Sequence, residues 1–347
     1  MAEKIEILGL LSSELEKTLS DMGYEFYRGR QVFTWVYQKK AQSFDEMTNL
    51  SRSLRAELSR HFTLDGLATE TIVEGYNGTK KALFRVSDGL FIESVLMKDS
   101  RMGQWTVCVS TQVGCPIGCR FCLTGKVGFY RNLRSSEIMG QIVSMNRALP
   151  PGEKISHIVL MGMGEPLLNY ENVLRAIRIM MSEGGIQISP KKITLSTVGI
   201  PSAMQRLGRD ACVNLALSLN ATTDKVRSSL IPLNKRFSIA SLLKSCRQYP
   251  HKKMMTIEYV LLRDVNDNIQ DARNLIHLLK GLWCKVNLIP YNPIPGGTFE
   301  APPEIRVRAF QKALLDANMT AIVRKSKGKE VQAACGQLGG PLLEGMK

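Results

Sequence analysis

The sequence is poor in histidine, poor in acid relative to base, and has no long apolar run, and each shortage closes off a class of protein. No stretch approaches the ~20 apolar residues of a membrane-spanning helix, and the opening Met1-Ala2-Glu3-Lys4 leads into no signal-like apolar core. A helical membrane span is thereby excluded, and a cytoplasmic location with no membrane partner is expected. In a reducing compartment the eight cysteines read as free thiols or metal ligands, not as a disulfide framework. Histidine occurs only at His61, His157, His251 and His277, so any metal chemistry falls mainly to sulfur. Basic residues outnumber acidic ones to leave a net charge of +15. A surplus of that size marks either a polyanionic partner or a merely basic, soluble surface.

What is present is concentrated in one loop. Cys115-Pro-Ile-Gly-Cys119-Arg-Phe-Cys122 offers three sulfur ligands from a single turn of chain. A [4Fe–4S] cube has four irons, so three thiolates leave one iron open to a chelating substrate. Gly114 and Gly118 permit the tight backbone path, and Phe121 places an apolar wall beside the cluster. The alternative is a zinc knot, but structural zinc takes four ligands, and no fourth Cys or His lies nearby. The CxxxCxxC spacing resembles that of the radical S-adenosylmethionine (SAM) superfamily, in which SAM chelates the open iron and is cleaved reductively to a 5′-deoxyadenosyl radical.

The pattern along the chain changes twice. Residues 1–65 read as a helical module, with apolar positions at helical spacing at Leu15, Leu19 and Met22, at Val32, Phe33, Val36 and Tyr37, and at Leu54, Leu58 and Phe62. Within it, Tyr24–Lys40 interleaves Arg28, Arg30, Lys39 and Lys40 with Phe26, Tyr27, Trp35 and Tyr37, a mixture suited to phosphate contacts and base stacking. Phe33, Val36 and Tyr37 are expected in the module's own core, leaving the arginines and lysines to face a ligand. Residues 66–104 switch to period-two strands around turns at Asn77-Gly78 and Asp88-Gly89, which predicts a small antiparallel extension.

From residue 105 to 345, strand-like runs alternate with helical ones. The strands are expected at Trp105–Ser110, His157–Met161, Lys192–Ser196, Val213–Leu219, Met254–Leu261, Lys285–Ile289 and Thr320–Val323, with helices between them such as Ser135–Leu149 and Tyr170–Glu183. Such alternation predicts βαβ units and a parallel sheet. Too few units are present to close an eight-fold barrel, so the expectation is an α/β fold with an open, partial β/α barrel. Chemistry in such folds sits at the C-terminal strand ends, and the cysteine loop is expected directly after the first strand. The other strands end in Met161-Gly-Met-Gly-Glu-Pro166, Ser196-Thr-Val-Gly199, Ser218-Leu-Asn220 and Tyr291-Asn-Pro-Ile-Pro-Gly-Gly297. Each is polar or rich in Gly and Pro, as a nucleoside site requires. Cys108 lies seven residues before the loop, and Cys335 stands in Ala333-Ala-Cys-Gly-Gln-Leu-Gly-Gly340. Cys212, Cys246 and Cys284 are assigned to packing.

The ordered set closely resembles the radical SAM methyltransferases that act on carbon-2 of adenosine in large-subunit ribosomal RNA and in some tRNAs, the RlmN family. The likeness covers nearly the whole chain and rests on Tyr27–Val36, Cys108–Cys122, Met161–Leu168 and the terminal Ala-Ala-Cys-Gly-Gln-Leu. The resemblance implies that Cys115, Cys119 and Cys122 hold one [4Fe–4S] cluster. It implies that Gly164, Glu165, Ser196, Ser218, Leu219, Asn220 and Asn292 surround SAM, two molecules of which are consumed per methylation. It further implies that Cys335 carries a methyl group, that Cys108 resolves a protein–RNA adduct through a transient disulfide, and that Glu93 is a proton acceptor. Asn220, where the family more often has His, and Leu123, where it has a smaller residue, depart from the pattern. The implied partners are rRNA and tRNA, with a flavodoxin- or ferredoxin-like electron donor and a monomeric enzyme.

The chemistry demands two cysteines, because carbon-2 of adenine lies between two ring nitrogens and is too electron-poor to attack the methyl of SAM. The nearest alternative is the sister family that methylates carbon-8 of the same rRNA adenosine, and Gly164-Glu165-Pro166 favours carbon-2 on resemblance. An alternative of another class is a non-catalytic, zinc-containing RNA-binding protein, favoured by the charge but not by the cysteine count.

Overall fold

The structure is a computed structural model that describes residues 4–64, 67–76, 78–100, 102–250, 253–324 and 327–344. A short parallel pair, β1 (Ile5–Glu6) and β2 (Phe62–Thr63), ties together the ends of a three-helix unit made of α1 (Ser12–Asp21), α2 (Tyr27–Tyr37) and α3 (Arg52–His61). The apolar spacing does what it predicts: Leu15, Leu19, Val32, Phe33, Val36, Tyr37, Leu54 and Leu58 are all buried. Ser51 caps α3, its Oγ accepting from Leu54 N at 3.2 Å. Phe62 lies one residue beyond that helix, in β2, and is buried there. Gly29 lets α1 and α2 touch, since a Cβ at this position would stand 2.4 Å from Glu16 Cα.

The unit docks on the rest of the chain through polar contacts with backbone. Lys40 Nζ donates to Asn146 O at 3.0 Å and Arg175 Nε to Gly9 O at 2.6 Å, while within the unit Tyr37 OH donates to Leu8 O at 2.7 Å. Next come the antiparallel strands β3 (Ala68–Glu74), β4 (Lys80–Arg85) and β5 (Phe91–Lys98). The Asp88-Gly89 turn is formed, with Gly89 at φ +83°; Asn77 of the other expected turn lies outside the described residues, as do residues 65, 66 and 345 at the expected segment ends.

There follow β6 (Trp105–Cys108), β7 (Gln112–Gly114), α4 (Leu123–Val127), β8 (Phe129–Asn132), α5 (Ser135–Arg147), β9 (Ile155–Leu160) and α6 (Tyr170–Met181). Then come β10 (Ile193–Thr197), α7 (Pro201–Asp210), β11 (Asn214–Ser218), α8 (Asp224–Leu230), α9 (Ile239–Gln248), β12 (Met255–Leu261) and α10 (Ile269–Leu279). The chain closes with β13 (Cys284–Pro290), α11 (Glu304–Asp316), β14 (Thr320–Val323) and α12 (Gly340–Glu344).

Ten strands form one sheet in the order β14-β13-β12-β11-β10-β9-β6-β5-β4-β3. β6 and β9 to β14 run parallel, with β3 to β5 as an antiparallel arm. The sheet is open, its edges being β14 and β3. The arm is therefore continuous with the parallel sheet, because β5 pairs directly with β6, and β3 is exposed along its whole length.

Two expectations need correction. The first parallel strand stops at Cys108, not Ser110, and β7 stands between it and the cysteine loop. β7 pairs antiparallel with β8, so a two-stranded clip holds both ends of the loop. The reason is a close backbone approach: Cys115 N donates to Gly128 O at 2.6 Å. Gly114, at φ +73°, could carry no Cβ, which would fall 1.9 Å from Gly128 O.

Candidate active site

The C-terminal ends of the parallel strands open on one cavity, with about 1020 Å³ of space free of protein atoms. Cys115, Cys119 and Cys122 line it together with Phe121. The three thiols line a shared space, and among the described residues no group of three or more His, Cys, Asp or Glu side chains is placed to hold a single metal ion. Each is pushed up from the ordinary thiol range, first by burial, Cys115 to about 12, and the neighbouring thiols add to the effect. Cys115 and Cys119 are raised further by other thiols of the same loop, an arrangement that a cationic iron–sulfur core relieves, since thiolates are its ligands.

The polar strand ends face the same space. Gly164, Glu165, Ser196, Ser218, Asn220 and Asn292 all line it. The Glu165 carboxylate is buried and accepts from Leu167 N at 3.1 Å and Val198 N at 2.9 Å, so its position is fixed from two sides. Burial pushes its carboxyl up, and those hydrogen bonds oppose the shift. Ser196 Oγ and Ser218 Oγ lie 3.3 Å apart on adjacent strands. Asn220, at φ +58°, turns the chain and accepts from Val260 N at 2.8 Å. Leu219 is the exception. Its side chain is wholly buried outside the cavity, because its N–H donates to Glu258 O and its carbonyl accepts from Arg227 Nε.

A second cavity lies against the first. Cys122, Thr124, Met161, Arg324, Cys335 and Gly336 are among the residues common to both, whereas Cys108 lines only the second. Cys335 is exposed and Cys108 buried, and none of the eight cysteines is in a disulfide. Burial pushes the Cys108 thiol up to about 12, the Cys335 sulfur adds to this, and the Arg324 guanidinium opposes it. Cys246 and Cys284 are buried in the apolar core as expected; Cys212 is only half-buried and donates to Pro250 O.

The segment bearing Cys335 is fastened at several points. Thr124 Oγ1 donates to Leu338 O at 2.7 Å, Leu123 N to Gly336 O at 2.8 Å and Asn292 Nδ2 to Cys335 O at 3.2 Å. Glu93 holds its far end by accepting from Gly339 N at 2.5 Å. The other Glu93 oxygen meets Lys81 Nζ at 2.9 Å. Glu93 lines neither cavity, so the structure does not bring it together with the two cysteines.

Sequence reasoning missed Glu258, Tyr291 and Arg324. All three line the first cavity, and Glu258 Oε2, Tyr291 OH and Asn292 Oδ1 are buried without a hydrogen-bond partner. Buried polar atoms left unpaired around one cavity indicate a ligand with matching donors. A carboxylate inside the apolar run Met255–Leu261 was the one available signal for Glu258.

Residues 5–64 match the family described as the ribosomal RNA large subunit methyltransferase N-terminal domain, and residues 109–276 match the radical SAM superfamily. Two bacterial proteins named dual-specificity RNA methyltransferase RlmN are close relatives. That of Syntrophus aciditrophicus is 48% identical over 98% of this chain and 98% of its own length. That of Geobacter sulfurreducens is 45% identical over 99% and 94%. The chain belongs to the RlmN family of RNA methyltransferases. The crystal structure of a radical SAM methyltransferase from Sphaerobacter thermophilus superposes with a TM-score of 0.92 at 43% identity, covering 96% of this chain and 99% of that one. Membership implies a [4Fe–4S] cluster and SAM. The cavity fits both: three thiols around one space for the cluster, and unpaired acceptors at the strand ends for the hydroxyl, amino and ammonium donors of SAM.

The N-terminal unit carries a shallow groove outlined by Tyr27, Arg30, Gln31, Thr34, Trp35, Lys39 and Asn49. Lys39 Nζ lies 3.9 Å from the centre of the Trp35 ring. Two aromatics thus join the basic residues in the groove, while Lys40 is used against Asn146 O. Arg28 pairs with Glu25 at 3.5 Å and Arg30 with Glu16 at 3.2 Å. No described helix is long and apolar enough to cross a membrane.

Proposed function

We propose that this enzyme methylates carbon-2 of adenosine in large-subunit ribosomal RNA and in tRNA, in the cytoplasm, by way of a methyl group carried on Cys335. The supporting observation is that Cys335 stands on the wall common to two cavities, with the cluster thiols in one and Cys108 in the other. Cys115, Cys119 and Cys122 would hold the cluster, with Gly164, Glu165, Ser196, Ser218, Asn220 and Asn292 facing SAM and Leu219 supporting them through its backbone. When bound, the cluster and two molecules of SAM supply the methyl group and the radical chemistry that polar methylation of an electron-poor carbon cannot.

The protein's own part is positional. Cys335 offers its sulfur first to the cluster side, where it takes up the methyl group, and then to the base. The methyl carbon, from which SAM-derived radical chemistry would have removed one hydrogen atom, bonds to carbon-2 and links Cys335 to the RNA, while carbon-2 gives up its hydrogen as a proton and the one surplus electron, which the cluster would accept. Cys108 then attacks the Cys335 sulfur. The S–S bond forms as the S–C bond breaks, and the carbon keeps that electron pair and takes a proton to become the new methyl group. The attack needs a thiolate, which burial disfavours at Cys108, so the Arg324 cation helps to supply it. The N-terminal groove binds the RNA backbone and stacks an exposed base on Tyr27 or Trp35.

The test separates the two cysteines. Cys335→Ala should be inert and never become attached to RNA. Cys108→Ala should stall as a covalent adduct that survives denaturing electrophoresis and disappears on nuclease digestion. Mass spectrometry of nucleosides from RNA treated with the wild type should show 2-methyladenosine. An adduct trapped by Cys335→Ala, or 8-methyladenosine as the product, would refute the proposal.

A further inference from the structure

Arg227 is the largest of the fully buried side chains, with 1% of its surface exposed. It lies on α8, immediately behind the cysteine loop: Arg120 N donates to Leu230 O at 3.0 Å, and Leu230 packs in the same apolar cluster as Cys119. Its guanidinium makes four hydrogen bonds, all of them to neutral groups. Nε donates to Leu219 O at 2.9 Å, Nη1 to Asn234 Oδ1 at 2.9 Å, and Nη2 to Val198 O at 2.5 Å and Ser218 O at 3.1 Å.

Among the described residues no carboxylate lies within ion-pair distance of it. Asp224, on the same helix, instead accepts from Asn234 Nδ2 at 3.0 Å and Ile239 N at 2.9 Å. A cation buried among neutral dipoles costs several kcal/mol of desolvation unless an opposite charge is at hand. The group that interacts with it electrostatically most strongly is Cys119, ahead of Asp224. The arrangement makes sense if the missing counter-charge arrives with the cluster. Three thiolates leave a [4Fe–4S] core net anionic, and reduction adds a further negative charge. A fixed cation behind one ligand therefore stabilises the reduced state more than the oxidised one.

We propose that Arg227 is the buried counter-charge of the cluster, raising its reduction potential, while the same guanidinium ties together the ends of β10 and β11 that face SAM. This inference rests on Cys115, Cys119 and Cys122 being cluster ligands. Its test is a redox titration of the anaerobically reconstituted enzyme, followed by electron paramagnetic resonance without SAM, on wild type, Arg227→Lys, Arg227→Met and Asn234→Asp. Asn234→Asp is made together with Asp224→Asn throughout, because Asn234 Nδ2 donates to Asp224 at 3.0 Å and two carboxylates would otherwise meet there; the exchange places a carboxylate on Nη1 and so decides the matter if Arg227→Met fails to fold. At a fixed solution potential the ratio of reduced to oxidised cluster should fall by at least about tenfold in Arg227→Met and Asn234→Asp, a shift of about 59 mV for a one-electron couple. Arg227→Lys should stay near wild type, although its cluster-free form should melt lower, since a lysine cannot reach four acceptors. Cluster-loaded Arg227→Met or Asn234→Asp with the wild-type potential would overturn the proposal, as would an equal shift in Arg227→Lys. Wild type that binds neither iron nor acid-labile sulfide would instead overturn the cluster assignment beneath it.

Discussion

Glu93 offers the sharpest test of how the structure is read, because the family resemblance makes it a proton acceptor whereas its contacts make it an anchor. Its carboxylate is buried, one oxygen on Lys81 Nζ at 2.9 Å and the other accepting from Gly339 N at 2.5 Å. The Lys81 side chain is itself only 17% exposed. Glu93→Gln keeps an acceptor for Gly339 N but leaves an ammonium with little water and no counter-charge. Breaking a pair buried to this degree costs on the order of 3 kcal/mol, which for a chain of 347 residues lowers the melting temperature by roughly 4 °C. Lys81→Met combined with Glu93→Gln removes both charges and should recover a large part of that loss, since the two residues touch. Hydrogen exchange followed by mass spectrometry should show faster exchange of residues 333–340 in Glu93→Gln, because the fastening at Gly339 is weakened. Turnover should fall through misplacement of Cys335 and return partly in the double variant. Wild-type melting and wild-type exchange, with turnover abolished in both variants, would refute the anchor and restore the chemical role.

Cys115→Ala, Cys119→Ala and Cys122→Ala should each lose cluster iron and reductive SAM cleavage, measured by iron and sulfide analysis and by release of 5′-deoxyadenosine. Affinity for RNA should fall with salt, and Arg30→Glu with Lys39→Glu should flatten the log–log slope by roughly 0.7 for each phosphate no longer neutralised; an unchanged slope would move the RNA site away from the N-terminal groove. In the cluster-free protein, Cys108 stays protonated in the fold up to about 12, while in the unfolded chain it ionises near 9.0. Its stabilising contribution is therefore full below pH 9 and lost as pH rises from there towards 12. Melting temperature should decline over that window, less steeply in Cys108→Ala, with the three loop thiols and the buried Cys246 and Cys284 among the groups that supply the remaining slope in the same direction.

Much of this protein is legible along the chain because the relevant signals are local. The parallel strands bury apolar residues at alternate or successive positions, so the seven runs from residue 105 onward announce themselves, as do the helices between them. Three thiols in one short loop are a ligand set whatever surrounds them. The turns at strand ends are polar because backbone left exposed there needs partners. The β7–β8 clip was invisible since its strands are only a few residues long and are held by one close backbone approach at Gly114, a feature that no periodicity encodes. The cavities were equally out of reach. Cys108 and Cys335 come from opposite ends of the parallel sheet's sequence, and only the curvature of the sheet and the fastening of residues 333–339 bring them around a common space. Arg227 and Arg324 carry no local mark of their importance, since a charge in a helix or just past a strand end is ordinarily solvated, and Glu258 is marked only by its place inside an apolar run. Tertiary packing removed the water from around Arg227 and Glu258, set Arg227 behind the cysteine loop and placed Glu258 and Arg324 on the wall of the cavity that the thiols line. Composition and spacing decided which chemistry the chain can hold; packing decided which charges that chemistry has to meet.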